Sequence, residues 1–207
     1  MNKEEIAKKA HKTAKSKGFW DIKPNFNTQL MLIISEMAEA IEADRKGRYA
    51  DLTEYNRRYN EVLKTLNPNM DTDTRYLYAS EIKKDLFLRL VKDSFEDEIA
   101  DAILRTMDLM VGYEIDIRED IPNIHYAVNS LHQIETNSEA LLYITSIVID
   151  CYKSILSGND ENLRNSLNIL LELLITFCKI KDIPYDSHLL AKLEYNDTRP
   201  RLHGKSY

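Results

Sequence analysis

The chain has 207 residues, a net charge of −6 and 43% apolar residues, enough for a substantial core. Five glycines and five prolines are too few for the tight turns of a β-sandwich, a β-barrel or a many-turned α/β sheet. They leave no GxGxxG or GxxxxGK[ST] phosphate loop, and the acidic balance disfavours nucleic acid and anionic membranes as partners.

Hydrophobic periodicity is helical along nearly the whole chain. A first helix is expected over Asn2–Lys17, closed by Gly18, its lysines forming one solvated surface, with a nucleic-acid-binding arm as the alternative. Asn27–Arg45 is a second, with Asn27 or Thr28 as N-cap and Gly47 just beyond its end. Leu52–Leu66 is a third, stopped by Asn67-Pro68-Asn69, and Arg75–Val91 continues helically. Ser94 opens a helix to Val111; Ser94 with Asp97 approximates a capping box, and Gly112 ends the element. Ile121-Pro122 starts a weaker helix to about Gln133. Glu139–Leu156 and Leu163–Ile180 follow, separated by Ser157-Gly158-Asn159-Asp160, and a last helix from Ser187 to about Tyr195 leads into the polar tail Asn196–Tyr207. No strand is needed. The expected architecture is an all-α helical bundle in a single domain.

Cys151 and Cys178 each lie inside an apolar helical pattern without CxxC or Cys/His spacing, which predicts two buried thiols. The longest uninterrupted apolar run is Leu30 to Ile34, and Met-Asn-Lys-Glu-Glu offers no apolar signal core. Neither a secretion signal nor a membrane span is expected, and the expected compartment is cytoplasmic.

Residues 139–185 read as a degraded echo of residues 30–117. Glu98–Ile117 slides onto Ser166–Tyr185, with Ile115 on Ile183, and Ile34-Ser35 falls on Thr145-Ser146. Two unrelated leucine-rich helices are the alternative. On the duplication reading Glu36, Glu98 and Asp101 map to Ile147, Ser166 and Ile169, and the second half becomes scaffold.

The helix Asn27–Arg45 is apolar almost all round, which predicts burial on several sides, yet it carries Glu36 and Glu39 three residues apart on one face. A second such pair, Glu98 and Asp101, sits on the helix opened by Ser94. Two carboxylates about 6 Å apart repel by roughly 0.7 kcal/mol in water and by roughly 3 kcal/mol at an effective dielectric near 20. Four of them converging in a partly buried cleft would protonate or capture a divalent cation, and all-oxygen ligation suits Mg²⁺ or Mn²⁺ rather than Zn²⁺. The plainer explanation is a solvated helix face over Glu98, Asp101, Arg105 and Asp108, with an Asp101–Arg105 i,i+4 salt bridge. Glu96 and Asp97 are explained by the helix dipole.

Three segments stand in order: Ser35-Glu36-Met37-Ala38-Glu39-Ala40, then Phe95-Glu96-Asp97-Glu98-Ile99-Ala100-Asp101-Ala102, then Leu193-Glu194-Tyr195-Asn196-Asp197-Thr198-Arg199-Pro200 with His203-Gly204. Together they resemble the MazG-like, all-α nucleoside triphosphate pyrophosphohydrolases. The resemblance covers residues 10–117 and about 186–207, the catalytic part; residues 50–92 form a longer connection than the minimal family needs, and residues 121–185 are additional helices. The family's first motif often begins Glu-Glu, whereas here Ser35 precedes Glu36.

The resemblance implies a Mg²⁺-dependent hydrolase, with Mn²⁺ as a substitute, that cleaves nucleoside or deoxynucleoside triphosphates to the monophosphate and pyrophosphate. It implies that Glu36, Glu39, Glu98 and Asp101 hold the metal, one glutamate orienting the attacking water, and that Lys192, Asn196 and Arg199 hold the phosphates. Trp20 and His11 fall where the family places residues near the base. For Trp20, stacking on the base and packing of a helix junction after Gly18-Phe19 are both open; for His11, contact with the nucleotide and exposure on a basic helix are both open. Relatives commonly assemble as dimers or tetramers, so a homodimer or higher homo-oligomer is expected, with a small-molecule nucleoside triphosphate as partner and neither nucleic acid nor membrane. A catalytically silent helical module that keeps the metal and nucleotide pocket is the alternative function.

Overall fold

Short polar side chains set where most of the helices begin. In a computed structural model that describes residues 2–67 and 69–204, all regular structure is helical: α1 (Lys3–Ser16), α2 (Phe26–Arg45), α3 (Leu52–Thr65), α4 (Thr72–Leu90), α5 (Phe95–Gly112), α6 (Ile124–His132), α7 (Asn137–Leu156), α8 (Asp160–Ile180) and α9 (Tyr185–Thr198), followed by a 3₁₀ turn over Arg201–Gly204. The side chains of Asn2, Asn25, Asp51, Asp71, Ser94, Thr136 and Asn159 each accept a hydrogen bond from the backbone N–H three residues on. Each such cap satisfies an otherwise orphaned donor and is worth about 1 kcal/mol.

The caps explain where the sequence-based boundaries miss. The helices expected from Arg75, Glu139 and Leu163 start two or three residues earlier, at Thr72, Asn137 and Asp160. Apolar periodicity begins only where a helix meets the core, whereas the backbone turns helical directly after the cap. The second helix is capped by Asn25 rather than Asn27 or Thr28, and α9 extends to Thr198, through part of the expected tail. α5 ends at Gly112, as expected, and Glu114, two residues on, takes a left-handed conformation with φ 58°. Pro68 and the end of the tail lie outside the described residues.

α5 is the central element. Phe95, Ile99, Ile103, Met107 and Met110 are buried, and the helix is packed by α1, α2, α8 and α9. Leu30, Ile33, Met37 and Ala40 of α2 are buried, but Met31 and Ala38 face solvent, so α2 is covered by α5 and α7 and not all round. A smaller cluster, with Tyr195 stacked on Phe87 at 4.6 Å, seats the α3–α4 hairpin on α9. Cys151 and Cys178 are buried as free thiols, and burial pushes both up to about 12. No helix among the described residues is long and apolar enough to cross a membrane.

Four helices form a ring in which α2 packs on α5, α5 on α8, α8 on α7 and α7 on α2. The two halves of this ring match in detail. α2 and α7 each span 20 residues and stand 111 positions apart at both ends. Gly47 and Gly158 follow them at φ 64° and 65°, and the Arg48 N–H to Ala43 and Asn159 N–H to Ser154 bonds that close the two ends are both 2.9 Å. α5 and α8 end alike 68 positions apart: Glu114 and Asp182 have positive φ, and the N–H groups of Ile115 and Ile183 donate at 2.8 Å to the carbonyls of Met110 and Cys178.

His188 on α9 is 3% exposed, and its Nδ1 has no hydrogen-bond partner among the described residues. Burial pushes the imidazole down from 6.5 to about 4. The folded chain thus excludes a proton that the unfolded chain binds, and this residue's contribution is lost as pH falls from about 6.5 through about 4, by about 3 kcal/mol in all. His188→Leu is therefore expected to remove most of that acid sensitivity. Urea unfolding of both proteins at pH 7 and pH 4.5 checks this; equal losses for both would show that His188 is not the source.

Candidate metal centre

The site is built where α2 crosses the first turns of α5. Ser94 caps α5 by accepting from the Asp97 N–H at 3.2 Å, and Asp97 returns a carboxylate oxygen to the Asp93 N–H at 3.0 Å. The expected capping box is thus shifted by one residue at its return bond. This turn fixes the rotation of α5, so that Glu98 and Asp101 face Glu36 of α2. One carboxylate oxygen from each of the three lies within 4.8 Å of the others.

Cations sit on two sides of this group. The Arg105 Nε donates to Glu36 Oε1 at 2.5 Å. The Lys192 ammonium, from α9, donates to both oxygens of Asp97 at 2.9 Å and lies 2.7 Å from Asp101 Oδ2. Glu98 is 5% exposed, and among the described residues its carboxylate makes no hydrogen bond or ion pair. Burial, then the charges of Asp101 and Asp97, pushes it up to about 9. Burial and Asp101 also raise Glu36, against the pull of Arg105. Burial lifts Asp97 to about 6 although Lys192 pulls it down. Burial by itself would lower Lys192, but Asp101 and Asp97 more than offset it and hold the ammonium charged.

The donor set fits a hard divalent cation. Three carboxylates offer oxygen only, and a buried carboxylate without a partner is the group such an ion would satisfy. Glu36, Glu98 and Asp101 are the residues that could hold Mg²⁺ or Mn²⁺. Glu39 is not gathered with them: it is exposed, accepts from the Ser35 hydroxyl at 3.1 Å, and reaches the group only through its charge on Glu36.

Three sequence-based readings are corrected here. Arg105 pairs with Glu36 on the neighbouring helix rather than with Asp101. Asp97 is not a solvated dipole partner but a buried ion-pair member, 1% exposed. Lys192 is 4% exposed and spends its donors on Asp97 and Asp101, not on a surface where a phosphate would meet it. A signal was present: Asp97 lies one turn before Asp101 on the same face, and Lys192 stands between Ala191 and Leu193 in an apolar stretch.

His11 and Trp20 meet at one carboxylate that the motif analysis left aside. The Trp20 Nε1–H donates to Asp108 at 3.0 and 3.1 Å, and His11 Nδ1 lies 2.7 Å from Asp108 Oδ1, the two rings edge to face at 4.7 Å. His11 is therefore turned into the fold rather than displayed on the lysine face. Asp108 continues the α5 face that carries Asp101 and Arg105. The Trp20 ring rests on Gly112, where a Cβ would stand 1.9 Å from a ring carbon.

The third motif forms a strap on the end of α1. Thr13 donates to Asp197 at 2.9 Å, the Lys17 ammonium to the Asp197 carbonyl at 2.7 Å, and the Leu202 N–H to the Lys17 carbonyl at 2.8 Å. The Arg199 guanidinium lies 5.6 Å from the centre of the Tyr195 ring, and the buried Asn196 Oδ1 has no hydrogen-bond partner among the described residues. Neither Asn196 nor Arg199 hydrogen-bonds to the three carboxylates among the described residues.

Comparison of the chain with protein-family models, with curated proteins and with solved structures finds no match.

Two outcomes follow from this geometry. Because Glu98 is protonated at neutral pH without a cation, Mn²⁺ binding is expected to release close to one proton and to tighten by up to roughly tenfold per pH unit toward pH 9. The sign for stability is the reverse: folding takes up this proton, so the metal-free protein loses stability as pH rises from about 4.5 through about 9. Calorimetry in buffers of different ionisation enthalpy measures the release, and Glu98→Gln should abolish it. Separately, Gly112→Ala forces the Trp20 ring off the helix and should cost about 1–3 kcal/mol with a shift in tryptophan emission; unchanged emission and stability would mean that the ring moves freely.

Proposed function

We propose that the chain is a metal-dependent nucleotide pyrophosphohydrolase, converting a nucleoside or deoxynucleoside triphosphate and water to the monophosphate and pyrophosphate. The observation that carries this reading is the convergence of Glu36, Glu98 and Asp101 from two helices, Glu98 being buried and without a hydrogen bond or ion pair among the described residues. The order of the three motifs along the chain supports it, as does the meeting of Trp20 and His11 at Asp108, two turns beyond Asp101 on α5.

A bound divalent ion would neutralise phosphate charge and lower the pKa of a coordinated water. The chain's own part is to hold and orient. Glu36 and Asp101 are each steadied by a fixed cation, so both carboxylates have little freedom to lose on binding. Glu39, outside the gathered three and exposed beside Ser35, is the carboxylate left to accept the proton of the attacking water. Arg199 supplies the planar donor for the phosphates.

One observation favours the alternative of a nucleotide-binding module without turnover: Lys192, which the resemblance places at the phosphates, is consumed by internal ion pairs. Pyrophosphate release from a panel of triphosphates with Mg²⁺ decides between the two. The enzyme reading expects turnover that Asp101→Asn lowers at least 100-fold without loss of helicity, since Asp97 still pairs Lys192. A module that only binds would show a nucleotide-dependent rise in thermal midpoint with no pyrophosphate, and a structural bundle would show neither.

A further inference from the structure

We infer that the centre holds one resident divalent cation per chain, and that Lys192 and Arg105 supply the positive charge a second ion would otherwise bring. The inference rests on the reading of Glu36, Glu98 and Asp101 as metal ligands. It is carried by how the carboxylate oxygens are already spent. Asp97 gives both oxygens to the Lys192 ammonium, Asp101 gives Oδ2 to the same ammonium, and Glu36 gives Oε1 to Arg105. The oxygens that accept no hydrogen bond among the described residues are Glu36 Oε2, Asp101 Oδ1 and both of Glu98, a residue 5% exposed whose carboxylate is one of the three gathered at the centre.

Four oxygens completed by water make one octahedral site. A pair of ions held about 3.5–4 Å apart is clamped by several shared carboxylates; here Glu98 alone keeps both oxygens free, while Arg105 holds one oxygen of Glu36 and Lys192 one of Asp101. Charge agrees with the donor count. With the cation bound, Glu36, Asp97, Glu98 and Asp101 are opposed by Lys192 and Arg105, leaving two negative charges, which a single divalent ion cancels. The other nearby acids do not change the tally. Glu96 accepts from the Ala50 N–H at 2.8 Å, Asp93 pairs with Lys92 and Arg48, Asp108 is bound by His11 and Trp20, and Glu39 faces solvent.

The test is a Mn²⁺ titration of the nucleotide-free protein, free Mn²⁺ being read by electron paramagnetic resonance. One ion per chain is the expected result. Two ions of comparable affinity would overturn the inference while leaving the metal centre standing, and no bound ion would remove both. Arg105→Gln tests the charge argument directly. Arg105 is partly exposed, whereas loss of Lys192 would strand Asp97 and risk the fold. The substitution frees Glu36 Oε1 and adds one net negative charge, so Mn²⁺ affinity should rise about tenfold. Unchanged or weaker affinity would show that Arg105 does not stand in for an ion.

Discussion

The buried ammonium of Lys192 is what allows so much negative charge to be assembled at the start of α5. Asp97, Glu98 and Asp101 occupy barely more than one helical turn, and Glu36 approaches them from α2. Without an internal cation, each would push its neighbours towards protonation. Lys192 answers two of them at once, from a third helix, so the same contact that moderates repulsion also fastens α9 to α5. Removing one member of such a buried pair typically costs 3–5 kcal/mol, because the partner is left charged in a dry place. The position of α9, and with it the strap laid across the end of α1, therefore depends on an electrostatic contact as much as on apolar packing.

The surrounding frame is apolar and regular. α5 is sheathed by α1, α2, α8 and α9, and the matched helix ends of α2 with α7 and of α5 with α8 close the ring. The side of α2 that meets α5 carries both core residues and Glu36, so rotation of α2 by one residue would move the carboxylate and disturb the core together. Packing thus indexes the site. Arg105, a turn beyond Asp101 on α5, reaches across to Glu36 and sets the same register from the other side.

The all-helical architecture was legible because apolar spacing is a one-dimensional signal: Ile99, Ile103, Met107 and Met110 mark the α5 stripe without any knowledge of partners. Boundaries were less legible, since α4, α7 and α8 begin at Asp71, Thr136 and Asn159 caps placed before the apolar stripe starts. Glu36, Glu98 and Asp101 could be nominated from i,i+3 spacing, but spacing could not say that Glu39 turns outward, because α2 carries apolar residues all round and gives no sense of which side is covered. Least legible were the cross-helix contacts. The pairing of Lys192 with Asp97 spans 95 positions, and that of Arg105 with Glu36 spans 69. The i,i+4 spacing offered Asp101 as a partner for Arg105, and the family resemblance implied a phosphate for Lys192; in the fold Arg105 meets Glu36, and Lys192 meets Asp97 and Asp101.

The equal lengths and equal terminal bonds of α2 and α7 have a consequence for how the molecule tolerates change. At the places that correspond to Glu36, Glu98 and Asp101, the other half of the ring has Ile147, Ser166 and Ile169. One wall thus gathers buried negative charge, while the opposite wall carries none at those places. The uncharged wall is therefore free to drift within the limits of hydrophobicity and size, while the acidic wall, which its own charges push apart, borrows the rigidity of its neighbour.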